Sequence, residues 1–138
     1  MLFEELTYQC TMTPPVQMRG GILIVEDHAA TARLLHLLLS EAFSAIPVEA
    51  VSSAEEMFVK FGGAFPSVVV MDISLSGMNG IEATRRIKAI SPTIEVVIHS
   101  NLEPGIYSDA CIKAGASAYV RKAQPKSQLI AEIRRLLG

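Results

Sequence analysis

The chain has 138 residues, half of them hydrophobic and 19% charged, a size and balance that suit one folded domain and argue against disorder. Its formal net charge of −2 supplies no bulk electrostatic drive toward nucleic acid or an anionic membrane. The cysteines, Cys10 and Cys111, match neither a zinc spacing nor a CxxC redox pair, which leaves free thiols in a reducing compartment as the plain reading. Residues 1–20 have no clean period. Acidic residues near Met1 are unlike an export signal, and Thr13-Pro14-Pro15 breaks helix. This stretch is read as an extension in which Leu2, Phe3 and Leu6 form a short amphipathic turn, and the domain proper as 21–138. No apolar run is long enough to span a bilayer, and a cytoplasmic location is expected.

From Gly21 the pattern becomes regular. Ile22 to Val25 is a continuous apolar run, as in a strand buried on both faces. A polar step, Glu26-Asp27-His28, precedes a leucine-rich helix over about 29–43, with Leu34, Leu35, Leu38 and Leu39 at helical spacing. A second strand is expected over 46–51. Ser53 then reads as the N-cap of a second helix that runs to Gly62-Gly63. The third strand, 67–71, ends at Asp72. The loop 74–80 leads to a third helix over about 81–90. A fourth strand over 94–99 has Ser100-Asn101 as its polar exit, and a fourth helix over about 104–114 stops at Gly115. A short fifth strand, 117–120, precedes Arg121-Lys122 and a last helix over about 125–137. Five strands alternating with five helices predict an α/β fold. Its form is a doubly wound five-stranded parallel sheet, flavodoxin-like, with ligands outside the carboxyl ends of the strands.

Those strand ends carry the chemistry. Glu26 and Asp27 follow the first strand, Asp72 the third, Ser100 the fourth and Lys122 the fifth. Three converging carboxylates repel one another, and a hard divalent cation relieves that repulsion. Asp72 is then free to meet a phosphoryl group. Ser100, Lys122 and the backbone N–H groups after Asp72 contribute hydrogen bonds and positive charge.

In four ordered stretches the sequence resembles the receiver domain of bacterial two-component response regulators. They are Ile22 to His28, Val68 to Gly80, Val96 to Ser100 and Ala114 to Lys122, and the likeness covers about 20–137. It implies that Asp72 is the phosphoacceptor, taking a phosphoryl group from a phosphohistidine on a histidine kinase or a histidine phosphotransfer protein. Mg²⁺ (or Mn²⁺) would bind Asp27, Asp72 and the carbonyl of Ser74, with Glu26 acting through water or the acid pocket. Ser100 is the implied switch hydroxyl, Tyr119 the switch aromatic and Lys122 the phosphate-contacting lysine. A receiver is a signalling domain that promotes its own phosphorylation and dephosphorylation rather than an enzyme with a separate substrate. The resemblance also admits a homodimer through the fourth helix, fifth strand and fifth helix.

There are three departures from the family pattern. Ser76 stands where proline is frequent, Asn101 where a small residue is usual, and Ala123 where many members have a cis-proline. A cis bond before alanine would cost about 2.5–4 kcal/mol. The stretch Met78 to Lys88 looks like receivers that carry a DNA-binding domain. A stand-alone receiver is the expected setting, and the receiver part of a longer DNA-binding regulator the alternative. A degenerate, non-phosphorylated interaction module is a further reading, against which the retained site groups argue. An aspartyl phosphatase would want a carboxylate at position 74, where Ser74 stands, and a flavin phosphate would be repelled by Glu26 and Asp27. Finally, Leu34, Leu35, Leu37, Leu38 and Leu39 exceed what one inward stripe of the first helix needs. Leu37 is read as its most exposed leucine and as a docking contact for the phosphodonor protein.

Overall fold

The computed structural model describes residues 20–138. The expected extension, with Leu2, Phe3, Leu6 and Cys10, lies outside the described residues apart from Gly20. Five strands, β1 (Ile22–Val25), β2 (Val48–Val51), β3 (Val68–Met71), β4 (Glu95–Ser100) and β5 (Ala118–Arg121), alternate with five helices. These are α1 (Ala29–Ala42), α2 (Ala54–Phe61), α3 (Gly80–Ile90), α4 (Ile106–Ala114) and α5 (Lys126–Leu137). The sheet is parallel throughout in the order β2-β1-β3-β4-β5. Strand order therefore reverses between β1 and β3, where ligands settle in such sheets.

The apolar strand runs divide between two cores because successive side chains point to opposite faces. Leu23, Val25, Val69, Met71, Val96 and Ile98 pack with Met57 and Phe61 of α2, Ala83 and Ile87 of α3, and Cys111 of α4. Ile22, Ile24, Val68, Val70, Val97 and Val120 pack with Leu35 and Leu39 of α1 and Leu129 and Ile133 of α5. Burying both faces is why these strands read as continuous rather than alternating apolar segments. Among the described residues Cys111 is a free thiol, whose pKa burial pushes up to about 11, as for an inert core group.

Local signals place the ends. The Ser53 hydroxyl accepts the Glu56 N–H at 3.0 Å and starts α2 as expected. The carboxamide oxygen of Asn79 accepts the N–H groups of Ile81 and Glu82, both at 2.9 Å, and starts α3. Two expectations are corrected. α4 begins at Ile106, after Gly105 at φ +107, rather than at Pro104. Ser100 is not a polar exit: it is the last residue of β4, fully buried and in register with Arg121. In α1 only Leu35 and Leu39 are buried and Leu34 is 46% exposed, in line with the surplus of leucines over one inward stripe: the helix rests one stripe on the sheet and residue 34 lies to its side. Among the described residues no peptide bond is cis, so the Lys122–Ala123 bond is trans. No helix among them is long and apolar enough to cross a membrane.

Candidate functional site: an acidic cleft at the strand ends

Parallel pairing carries the ladder one step past the ends of the strands and sets the site. Glu26 N–H donates to the Val51 carbonyl at 3.0 Å and Asp72 N–H to the Val25 carbonyl at 3.1 Å, which aligns the two acids on adjacent strands. Lys122 N–H donates to the Ser100 carbonyl at 2.8 Å, bringing the lysine across β4. Glu26 and Asp72 are only 3% and 5% exposed. The Lys122 ammonium lies 2.9 Å from Glu26 Oε1 and 3.3 Å from Asp72 Oδ2. Burial alone would lower the lysine's pKa. The hydrogen bond to Glu26 and the negative charges of Asp72 and Glu26 outweigh it and raise the pKa above the ordinary value. Lys122 is thus charged at neutral pH and offsets two buried carboxylates that would otherwise repel.

Each acid has a distinct setting. Glu26 is held at both oxygens, by Lys122 and by the His28 N–H at 3.1 Å to Oε2. Asp72 accepts the Ser74 N–H on Oδ1 at 3.3 Å. Asp27 is exposed, and its Oδ2 receives the Ser76 N–H at 3.3 Å and the Ser76 hydroxyl at 3.4 Å. Carboxylate oxygens of Glu26, Asp27 and Asp72 lie within 4.8 Å of one another. An all-oxygen, multiply charged donor set of this spread fits a hard divalent cation such as Mg²⁺.

The acids and Lys122 line an open cleft of about 480 Å³. Glycine at position 80 is required behind it, since a Cβ there would lie 2.1 Å from the Asp72 carbonyl oxygen. Of the residues singled out in the sequence, Glu26, Asp27, Asp72, Ser74, Lys122 and the departing Asn101 meet in the cleft. Ser100 lies outside the lining, its hydroxyl accepting the Leu102 N–H at 3.1 Å. Tyr119 is half-buried and donates its hydroxyl to the Leu102 carbonyl at 2.8 Å, so both expected switch residues grip the backbone of one residue, Leu102, at its N–H and its carbonyl. Leu37 is 64% exposed and borders a groove with His36 and Ala50 beside the β2 edge, not the cleft. Sequence reasoning missed Leu34 and Lys126, which do line the cleft, and Leu102. Lys126, one turn past Lys122, donates to its carbonyl at 3.1 Å. That four-residue spacing was the available signal.

Fold and site define a flavodoxin-like domain with a cation-ready acidic cleft at the switch point of its sheet. The chain belongs to the response regulator receiver domain family, whose profile matches residues 22–134, so it is a receiver, a signalling domain of two-component systems. It is 33% identical over 119 residues to the transcriptional activator protein ExaE of Pseudomonas putida, covering 86% of this chain and 55% of that protein. Against the chemotaxis protein CheY of Thermotoga maritima it is 28% identical, covering 86% of this chain and 98% of that protein. The BeF3-activated DrrB receiver domain superposes with a TM-score of 0.74 at 28% identity, over 87% of this chain and 98% of that one. A CheY-like receiver domain protein from Methanospirillum hungatei gives 0.78 at 26%, over 86% and 94%. The chain spans about half the length of transcriptional relatives such as ExaE.

Proposed function

We propose that Asp72 accepts a phosphoryl group from a phosphohistidine of a histidine kinase or histidine phosphotransfer protein, and that the phosphorylated domain switches a partner-binding surface. The observation that carries this reading is the Asp72 carboxylate itself. It is buried at the mouth of β3, ion-paired to Lys122, and grouped with Glu26 and Asp27 in an open cleft. A carboxylate oxygen of Asp72 attacks phosphorus as the P–N bond to the imidazole breaks. Lys122, already charged and oriented, takes the developing negative charge on the phosphoryl oxygens. Asp27, Asp72 and the Ser74 carbonyl would hold Mg²⁺ or Mn²⁺, which when bound neutralises charge on the carboxylates and the phosphoryl group. Ser100 and Tyr119, joined through Leu102, are the residues whose rearrangement would carry the change to α4, β5 and α5. Exposed Ile106 and Tyr107 on α4 support a partner or homodimer contact there.

The reading places the domain in the cytoplasm, alone or at the head of a longer regulator such as the transcriptional relatives. In either setting the receiver chemistry is the same. In the test, the protein is incubated with acetyl phosphate and Mg²⁺ and resolved by phosphate-affinity electrophoresis and intact mass. One phosphoryl group per chain is expected, with none in excess chelator. Absence of uptake with Mg²⁺ present would favour the non-phosphorylated interaction module.

Docking of the protein donor makes a separate prediction. Leu37→Glu places a charge on an exposed apolar position of α1. It should slow transfer from a phosphohistidine protein by about tenfold while leaving uptake from acetyl phosphate intact. Equal slowing with both donors would remove Leu37 from the docking surface.

A further inference from the structure

We infer that Ser76 is a positioning residue for the cation-binding carboxylate of Asp27, fixing one of its oxygens with two donors so that the other is presented to the cleft. This rests on the reading of Asp27 as a metal ligand and adds a residue that the family pattern, often proline at this position, does not supply.

The need for such a residue follows from the unequal settings of the three acids. Glu26 and Asp72 are buried and tied to Lys122. Asp27 is exposed on the loop after β1, where an unrestrained side chain must lose rotamer freedom to bind a cation. Ser76 supplies the restraint. Its N–H and its hydroxyl reach the same oxygen, Oδ2, at 3.3 and 3.4 Å, which leaves the other oxygen for a ligand. Hydrogen-bond partners behind a ligating carboxylate fix its orientation and tune metal affinity.

Ser76 is itself held in place. On one side Ser74 N–H bonds Asp72 Oδ1. On the other, Met78 N–H donates to Glu55 Oε2 of α2 at 3.1 Å. Between them Gly77 turns the chain at φ +76, with Glu55 Oε2 only 2.9 Å from where a Cβ would sit. The loop is therefore strung between Glu55 and the acidic cleft, with Ser76 aimed at Asp27. A proline at 76 has neither an N–H nor a hydroxyl to offer.

The experiment is a calorimetric titration of the whole chain with Mg²⁺ at fixed ionic strength, alongside circular dichroism to verify folding. Ser76→Ala should weaken binding by about threefold and Ser76→Pro by about tenfold, whereas Ser76→Thr, which keeps both donors, should bind as the parent does. In an Asp27→Asn background Ser76→Ala should have no further effect, because the residue acts through Asp27. Parent-like or tighter binding by Ser76→Ala and Ser76→Pro would overturn the inference. So would weakening by Ser76→Thr equal to that of alanine, or an undiminished effect of Ser76→Ala in the Asp27→Asn background. Absence of saturable Mg²⁺ binding by the parent chain would instead overturn the metal-site reading on which the inference rests.

Discussion

Asp72→Asn should reduce phosphoryl uptake from acetyl phosphate by at least about 100-fold, since the amide oxygen is a far poorer nucleophile than the carboxylate it replaces. The effect should be confined to chemistry. Lys122 keeps Glu26 as its partner at 2.9 Å, and asparagine preserves the shape at the end of β3. Removing one of two adjacent buried negative charges also relieves repulsion. Melting temperature in chelator should accordingly hold or rise while phosphate-affinity electrophoresis shows no shifted band. Uptake by the variant at the parent rate would transfer the phosphoacceptor role to another group. A sharp loss of stability would mean that the Asp72–Lys122 contact is structural first.

Much of this site was legible because it depends on positions at the ends of short apolar strands. Val68 to Met71 runs straight into Asp72, and parallel pairing forces the ends of β1, β3, β4 and β5 to one edge of the sheet. What the sequence could not display is contact between distant loops. Ser76 and Asp27 are 49 residues apart, and nothing in either local pattern pairs them. Likewise, the departure from proline at 76 was visible, but not the use of its N–H and hydroxyl as two donors to Asp27. Leucines at 34, 35, 37, 38 and 39 announce a buried helix face without saying which stripe meets the sheet. Residue 34 turned out to border the cleft and 37 the β2 edge. Ser100 was expected at a polar exit because hydroxyl and amide residues mark turns. Pairing with β5 overrode that local signal and buried it.

His99 should make the fold acid-sensitive well above the range where carboxylates titrate. It lies on the face of β4 opposite Ile98, 1% exposed, with neither ring nitrogen hydrogen-bonded among the described residues. Burial first, and then the positive charges of Lys126 and Lys122, push its pKa down from 6.5 to about 4. The folded chain thus keeps this imidazole neutral while the unfolded chain protonates it as pH falls below 6.5. Protons bind the unfolded state preferentially, and stability is lost from that point down to the folded pKa. At about 1.4 kcal/mol per pH unit, the cost across the interval is about 3 kcal/mol. His99→Val removes the titration and also the two unpartnered ring nitrogens, whose desolvation costs on the order of 1 kcal/mol even when neutral. Urea denaturation at about pH 7.5 and about pH 4 is the measurement. The valine variant should be somewhat more stable than the parent at the higher pH and more stable by a further 3 kcal/mol or so at the lower, with unchanged m-values. Carboxylate titration contributes to both proteins and cancels in the difference. If the two lose stability in parallel on acidification, the imidazole is not held neutral by the core, and another group sets the acid limit of the fold.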